Sequence, residues 1–139
     1  MAYLLDTCLL SEVWKPSPDE GVVAWLAASS EDELFISVLS LGEIKKGIEK
    51  LENGRKKTAL LRDYGLIRSR FSSRIAPVTD VVAERWGDLS AAASRAGRHL
   101  HVVDGLLAAT ALVSGCVLVT RNVGDFAVTP VPLLNPWAS

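Results

Sequence analysis

Residues 101–120 read HVVDGLLAATALVSGCVLVT. From Val102 to Ser114 the stretch is rich in Leu and Ala, lacks Pro, and is too long for an ordinary strand, so it predicts a helix. Gly115 is a natural stop for that helix, and Cys116–Val119 behind it reads as a strand buried on both faces. A helix apolar nearly all round that runs straight into an apolar strand belongs in a parallel sheet. An antiparallel meander would leave one face of each strand wet and alternating. One detail resists this burial: Asp104, at the head of the helix, is the single charged residue between Arg98 and Arg121.

Outward from this segment, strand-like and helix-like stretches alternate. AYLLD (residues 2–6) is an apolar run closed by Asp6 and predicts a first strand. TCLLSEVW follows with helical spacing and stops at Lys15-Pro16-Ser17-Pro18. DEGVVAWLAA predicts a helix with Asp19 and Glu20 suited to its N-terminus, and ELFIS a second strand. In SLGEIKKGIEKLENG, Ser40 and Glu43 have capping-box spacing, which puts Glu43 in a first helical turn, and Asn53-Gly54 ends the helix. Arg55 to about Ser72 predicts a basic helix, and RIAPV a short strand that Pro77 restricts to an edge or an end. Thr79 caps a helix to about Gly97, and VTPVPLLNP supplies one more short edge strand. With no repeats and no linker, the expectation is one α/β domain over residues 1–139, built on a mostly parallel central sheet flanked by helices.

The 139 residues are 49% hydrophobic and 22% charged, the balance of an ordinary globular protein rather than a disordered one. Apolar runs fall well short of a membrane span, and no basic-then-apolar leader precedes Asp6, so a cytoplasmic protein is expected. Cys8 and Cys116 cannot form a disulfide framework; both read as small core residues in a reducing compartment. The net charge of −1 hides an uneven distribution. The run from Lys45 to Arg74 carries a net +7 and the remainder −8, which suggests a segment facing a polyanion beside an acidic remainder.

Asp6 closes the first predicted strand, Glu43 lies in the first turn of the helix after the second, Asp104 opens the apolar helix, and Asp125 follows the last buried strand by a few residues. In an open parallel sheet the loops leaving the carboxyl ends of strands share one edge, where such folds bind ligands. Each acid alone can be read as a cap or a loop residue. Gathered at one edge they repel one another and raise each other's pKa unless a cation intervenes, and hard oxygen ligands suit Mg²⁺ or Mn²⁺. His99 and His101, two apart, are expected on different faces and supply no zinc spacing. A basic flank beside an acidic metal pocket suits a phosphodiester: cations hold the backbone while the ion activates water.

YLLDTCLLSE, ISVLSLGEIKKGIEKL and VVDGLLAATALVSGCVLVTRNVGDF together resemble the PIN-domain ribonucleases, in particular the VapC/FitB-like toxins of bacterial toxin–antitoxin pairs. The resemblance runs over nearly the whole chain and implies a small three-layer PIN-like domain. By position it makes Asp6, Glu43 and Asp104 metal-binding acids. It puts the fourth within TRNVGDF, where Asp125 is the available carboxylate and Asn122 a polar neighbour. Thr7 and Thr120 match hydroxyl residues that orient the acids from behind. Cys8 stands where the family usually has Asn, a lost amide near the acids. The family implies metal-dependent cleavage of RNA, often a tRNA or ribosomal RNA, by a homodimer inhibited by a small antitoxin. Lys45, Lys46 and Arg55 are the candidate RNA contacts. Trp25 and Trp86 lie in helical apolar patterns and read as core, and Trp14 as the wall of a partner groove. A phospho-acceptor receiver domain would need paired acids after the first strand and a lysine after the last, and the chain has neither. The remaining alternative is a PIN-fold binding protein without catalysis.

Overall fold

A computed structural model describes residues 1–138. The first half runs β1 (Ala2–Leu5), α1 (Thr7–Glu12), α2 (Glu20–Ala28), β2 (Leu34–Ser37), α3 (Val38–Glu49), α4 (Arg55–Arg70). The second half continues β3 (Ile75–Ala76), α5 (Asp80–Arg95), α6 (Val102–Ser114), β4 (Cys116–Val119), β5 (Leu133–Leu134). The sheet order is β3-β2-β1-β4-β5 and every neighbouring pair is parallel. The strand that Pro77 limits lies at one edge, and the tail strand at the other.

Alternation along the strands sorts the core into two layers. Leu4 and Leu118 pack with Val82, Leu89 and Leu107 of α5 and α6. Leu5, Val119 and Ile36 face the other way, onto Leu9 of α1, Val22 of α2, and Leu41 and Ile44 of α3. Each fully buried Leu, Ile or Val contributes about 1.5–3 kcal/mol, so both faces of the sheet must be covered and the molecule is three-layered. From β1 the chain moves outward to β2 and β3, then returns to the far side of β1 for β4 and β5. That reversal opens a crevice at the carboxyl ends of β1 and β4, where Leu5 lies opposite Val119.

Two helix starts differ from the sequence reading. β2 runs into α3 with no loop between them, so the last strand residue is the cap: Ser37 Oγ accepts from the Leu39 N–H at 3.0 Å. Ser40 and Glu43 therefore lie inside the helix, Glu43 in its second turn, and form no capping box. The N-cap of α6 is His101, whose ring makes no capping bond, and Asp104 is the third helical residue rather than the cap. Its charge there still favours the positive end of the helix dipole. Thr79 caps α5 as expected, and Gly115, at φ 68°, takes the left-handed conformation that ends α6.

Candidate active site

The floor of the crevice is Asp6. Its own N–H donates to the Val119 carbonyl at 3.0 Å, which continues the β1–β4 ladder and pins the residue against the neighbouring strand. Its carboxylate takes a bond from the Thr7 N–H at 2.7 Å on Oδ1 and from the Thr120 hydroxyl at 2.8 Å on Oδ2. Cys8 Sγ is a weaker donor, 3.7 Å from Oδ2. Thr120 is fully buried and its oxygen also accepts the Asn122 N–H at 3.0 Å, so the loop after β4 is tied to the residue after β1. Burial pushes the Asp6 carboxyl above its usual range, outweighing the hydrogen bonds from Thr120, Thr7 and Cys8, and the negative charge of Asp125 adds to the rise.

Thr7 turns the other way. Its hydroxyl donates to Glu43 Oε1 at 2.6 Å and lies 3.0 Å from Ser40 Oγ. The Ser40–Glu43 spacing thus brings α3 against α1 rather than closing a helix end. Asp104 differs from Asp6 in one respect: among the described residues no donor meets its carboxylate. Its pKa is also raised, first by burial, then by the charges of Asp125 and Asp6 and, less, Glu43, with His101 opposing. Asp125 sits in a short 3₁₀ turn, Val123–Phe126, held by its N–H to the Asn122 carbonyl at 3.1 Å. The structure thus brings Asp104 into electrostatic reach of Asp6, Glu43 and Asp125, and Asp6 into reach of Asp125. Asn122 contributes a backbone donor, and its side chain lies at the surface.

The start of α6 is located by packing. A Cβ at Gly105 would come within 2.8 Å of Trp86 Cδ1, so glycine lets the helix turn that carries Asp104 lie directly on the indole. Trp86 and Trp25 pack against the two core layers, and Trp25 meets Tyr3 edge-on. Two expectations are corrected here. His99 and His101 lie in a segment without regular structure, which frees them from strand or helix alternation, and their rings meet with 3.3 Å between Nε2 and Nδ1. Cys116 is buried as expected, but Cys8 belongs to α1 and is half-buried beside Asp6 and Thr120, not a core residue. Ser40 was missed as a polar neighbour of Thr7; the absence of any turn residue between ELFIS and VLSLGE was the available signal that the helix begins early.

The basic run divides into paired and free cations. Lys45 and Lys57 both bond Glu49, at 3.2 and 3.3 Å, and Arg70 and Arg74 both reach Glu31. Arg55 is the first residue of α4, where positive charge opposes the helix dipole. Lys46 lines a groove beside Glu43.

These acids suit a hard divalent ion. The donors are anionic oxygens, the charges of Asp125 and Asp6 raise the proton affinity of Asp104, and among the described residues no Lys or Arg is paired with any of them. Among the described residues no three carboxylate, histidine or cysteine groups are close enough to ligate one ion together. Mg²⁺ does not require such a cage, because it commonly binds through one or two carboxylates and keeps waters and substrate phosphates for the rest.

Comparison with known proteins agrees with this geometry. The PIN domain family model matches residues 3–130. The chain is 35% identical over 135 residues to toxin FitB of Neisseria gonorrhoeae, covering 96% of this chain and 97% of that one. It is 30% identical over 135 residues to VapC ribonuclease Y4jK of Sinorhizobium fredii, covering 96% of each. A solved structure of FitAB bound to an IR36 DNA fragment superposes with a TM-score of 0.93 at 33% identity, over 99% of this chain and 96% of that one. The parallel sheet, the acids at its strand exits and these likenesses agree: the chain belongs to the PIN domain family, among its VapC/FitB toxin–antitoxin members.

Proposed function

We propose that the chain is a divalent-metal-dependent endoribonuclease, the toxin of a toxin–antitoxin pair, acting in the cytoplasm as a homodimer. The observation that carries the reading is that Asp104 is raised by burial and by the charges of Asp125 and Asp6, and Asp6 by burial and the charge of Asp125, in a chain that resembles a named ribonuclease. Of Asp6, Asp104, Glu43 and Asp125, one or two would hold Mg²⁺ or Mn²⁺ directly and the others through its waters, and the ion when bound supplies an activated water and charge neutralisation at the scissile phosphate. The chain's own residues do the positioning. Thr120 and the Thr7 N–H fix both oxygens of Asp6 before any ligand arrives, and Thr7 holds Glu43 toward the same crevice. Asn122 braces Thr120 through its backbone, and Lys45, Lys46 and Arg55 are the cations offered to RNA phosphates, in tRNA or ribosomal RNA among the candidates.

The antitoxin partner rests on the solved FitAB assembly and on a second feature of the surface. An apolar groove of about 540 Å³ lies between α1, α2 and α4, lined by Leu9, Trp14, Leu26, Leu66 and Ile67 and edged by Asp63 and Arg70. Such a groove suits the apolar face of a helical antitoxin segment. An antitoxin arginine placed among the unpaired acids would neutralise them in place of metal.

The test is cleavage of total cellular RNA by purified protein. RNA is expected to be cut in Mg²⁺ or Mn²⁺ and left intact in excess chelator, with activity restored when metal is returned. Full activity after metal removal, verified by metal analysis, would overturn the mechanism. Tight RNA binding with no cleavage in either metal would make the chain a binding protein on the same fold.

A further inference from the structure

The groove beside Glu43 has a volume of about 580 Å³ and runs along α3 from the acidic crevice. Val38, Leu39 and Val103 form its apolar wall, Val103 being the residue just before Asp104. Glu43, Lys46, Gly47 and Lys50 line the helical side, and their spacing of three, four and seven residues puts them on one stripe of α3. Gly42 and Gly47 have open space where a Cβ would stand, so nothing obstructs the groove between the two lysines.

The charges in this groove are unspent. Elsewhere in the basic run Lys45, Lys57, Arg70 and Arg74 are neutralised by Glu49 and Glu31. Among the described residues, neither Lys46 nor Lys50 has an acidic partner. Glu43 is three residues from Lys46 and is the obvious partner on the helix, yet its carboxylate is engaged by the Thr7 hydroxyl at 2.6 Å. Thr7 thus turns the one available acid toward the crevice and leaves both ammonium groups free. Arg55, Lys56, Arg62 and Arg68 also lack an acidic partner among the described residues; what sets Lys46 and Lys50 apart is that both line a groove leading from Glu43, a surface that fits a polyanion.

We propose that this groove is the exit path of the substrate strand, with Lys46 and Lys50 holding two backbone phosphates on one side of the bond being cut. The proposal rests on the nuclease reading for the position of that bond, but not for the binding itself. The two lysines are one helical turn apart, about 6 Å along the axis, which is close to the spacing of consecutive phosphates on one strand. Lys46 then takes the phosphate nearer Glu43 and Lys50 the next. The wall offers aliphatic side chains and no aromatic ring on which a base could stack, so the groove holds the backbone and does not read bases. It differs from the wider basic run in predicting that only these two members matter to the bound strand at this place.

The experiment measures binding of a short fluorescein-labelled oligouridylate by anisotropy in excess chelator, so that cleavage plays no part, across a range of salt. Neutralising both lysines (Lys46→Gln with Lys50→Gln) is expected to reduce the log–log salt slope by about 1.4, at about 0.7 for each single-strand phosphate contact. Between about 50 and about 200 mM salt the wild type should therefore lose about sevenfold more affinity than the double variant. Neutralising Arg62 with Arg68, on α4 away from the groove, should leave the slope as in the wild type. An unchanged slope in the Lys46/Lys50 variant overturns the proposal, as does an equal change in the Arg62/Arg68 control. A shift of the lysine variant from dimer to monomer by sedimentation, with its slope intact, overturns it too and assigns the face to contact between copies. If the slope falls as expected but no metal yields cleavage, the groove stands and the nuclease reading fails. Cleavage with an unchanged slope is the reverse.

Discussion

The crevice has a floor and a rim, and they are built in opposite ways. Asp6 on the floor is buried, fixed by two strong hydrogen bonds, and joined through Thr120 to the next strand of the sheet. Asp104 on the rim is half-exposed, faces other carboxylates, and has no donor among the described residues. Both carboxyls are raised by burial first, yet the hydrogen bonds that compensate at Asp6 have no counterpart at Asp104. The contrast separates two jobs. The floor is already organised by the fold, while the rim holds repulsion that a cation, whether a metal ion or a partner's arginine, would relieve.

The largest expected effect tests that separation at Asp104. Asp104→Asn should lower kcat/KM for RNA by about 10²–10³, the scale of losing one electrostatic contact to the reacting phosphate. The same variant should be slightly more stable than wild type without metal. The folded-state pKa of Asp104 lies above its usual 3.8, so the charged form costs stability once pH rises above the unfolded value, and Asn removes that cost. Solvent around the half-exposed rim limits the gain to about a few tenths of a kcal/mol near neutral pH, and it should vanish in acid. Thermal unfolding in chelator and in Mg²⁺, alongside cleavage rates, reads both. A variant with wild-type activity and the same metal-induced stabilisation would make Asp104 a helix-dipole residue and erase the distinction.

The floor should respond in the other direction. Thr120→Val keeps the shape but removes the donor to Asp6 Oδ2 and the acceptor for the Asn122 N–H. Leaving a buried carboxylate short of a strong bond costs about 1.5–3 kcal/mol, a loss of stability where the rim variant gains. It should raise the Asp6 carboxyl further, so the deficit grows as pH rises above the unfolded pKa and shrinks in acid, where Asp6 is protonated in both proteins. Denaturant unfolding at about pH 7 and at about pH 3 measures the difference. A deficit equal at both would trace it to packing instead of to Asp6.

The same contrast explains what could be read from sequence. Apolar periodicity located the elements because burial dictates it: Leu4 and Leu5 face opposite layers, and a near-continuous apolar β4 has to lie between two neighbours. Asp6 and Asp104 were visible for the same reason, since each interrupts an apolar run, whereas Glu43 and Asp125 were placed only by the strands that precede them. Contacts between distant elements were not visible. Ser40 and Glu43 have the spacing of a cap, and only the position of Thr7, 36 residues before Glu43, shows that they face α1 instead. The pairing that leaves Lys46 and Lys50 free while neutralising Lys45 depends on which stripe of α3 meets α4 and its Lys57, which local patterns do not encode. The meeting of His99 with His101 comes from an irregular segment, where no period applies.

The smallest expected effect tests the weakest bond of the floor. Cys8 Sγ lies 3.7 Å from Asp6 Oδ2 and 3.6 Å from Thr120 Oγ1, so it touches both members of the strand-to-strand tie, but a thiol is a poor donor. Burial, followed by the nearby Asp6 charge, also raises the Cys8 thiol, so it remains a neutral S–H donor beside the carboxylate. Cys8→Ala should therefore change stability by about 0.5 kcal/mol or less, near the bottom of the range for hydrogen bonds. Cys8→Asn supplies an amide donor where the family usually has one, and it should pull the Asp6 carboxyl back toward its ordinary value. The linkage fixes the sign: a lower folded-state pKa reduces the cost of the charged form, so Asn should stabilise by about 0.5–1 kcal/mol at neutral pH and by nothing in strong acid. It should also tighten Mg²⁺ binding, measured by calorimetry, because less proton affinity has to be overcome at Asp6. Stabilisation of the same size at both pH values, or unchanged Mg²⁺ affinity, would show that position 8 acts through α1 packing and leaves the floor to Thr7 and Thr120 alone.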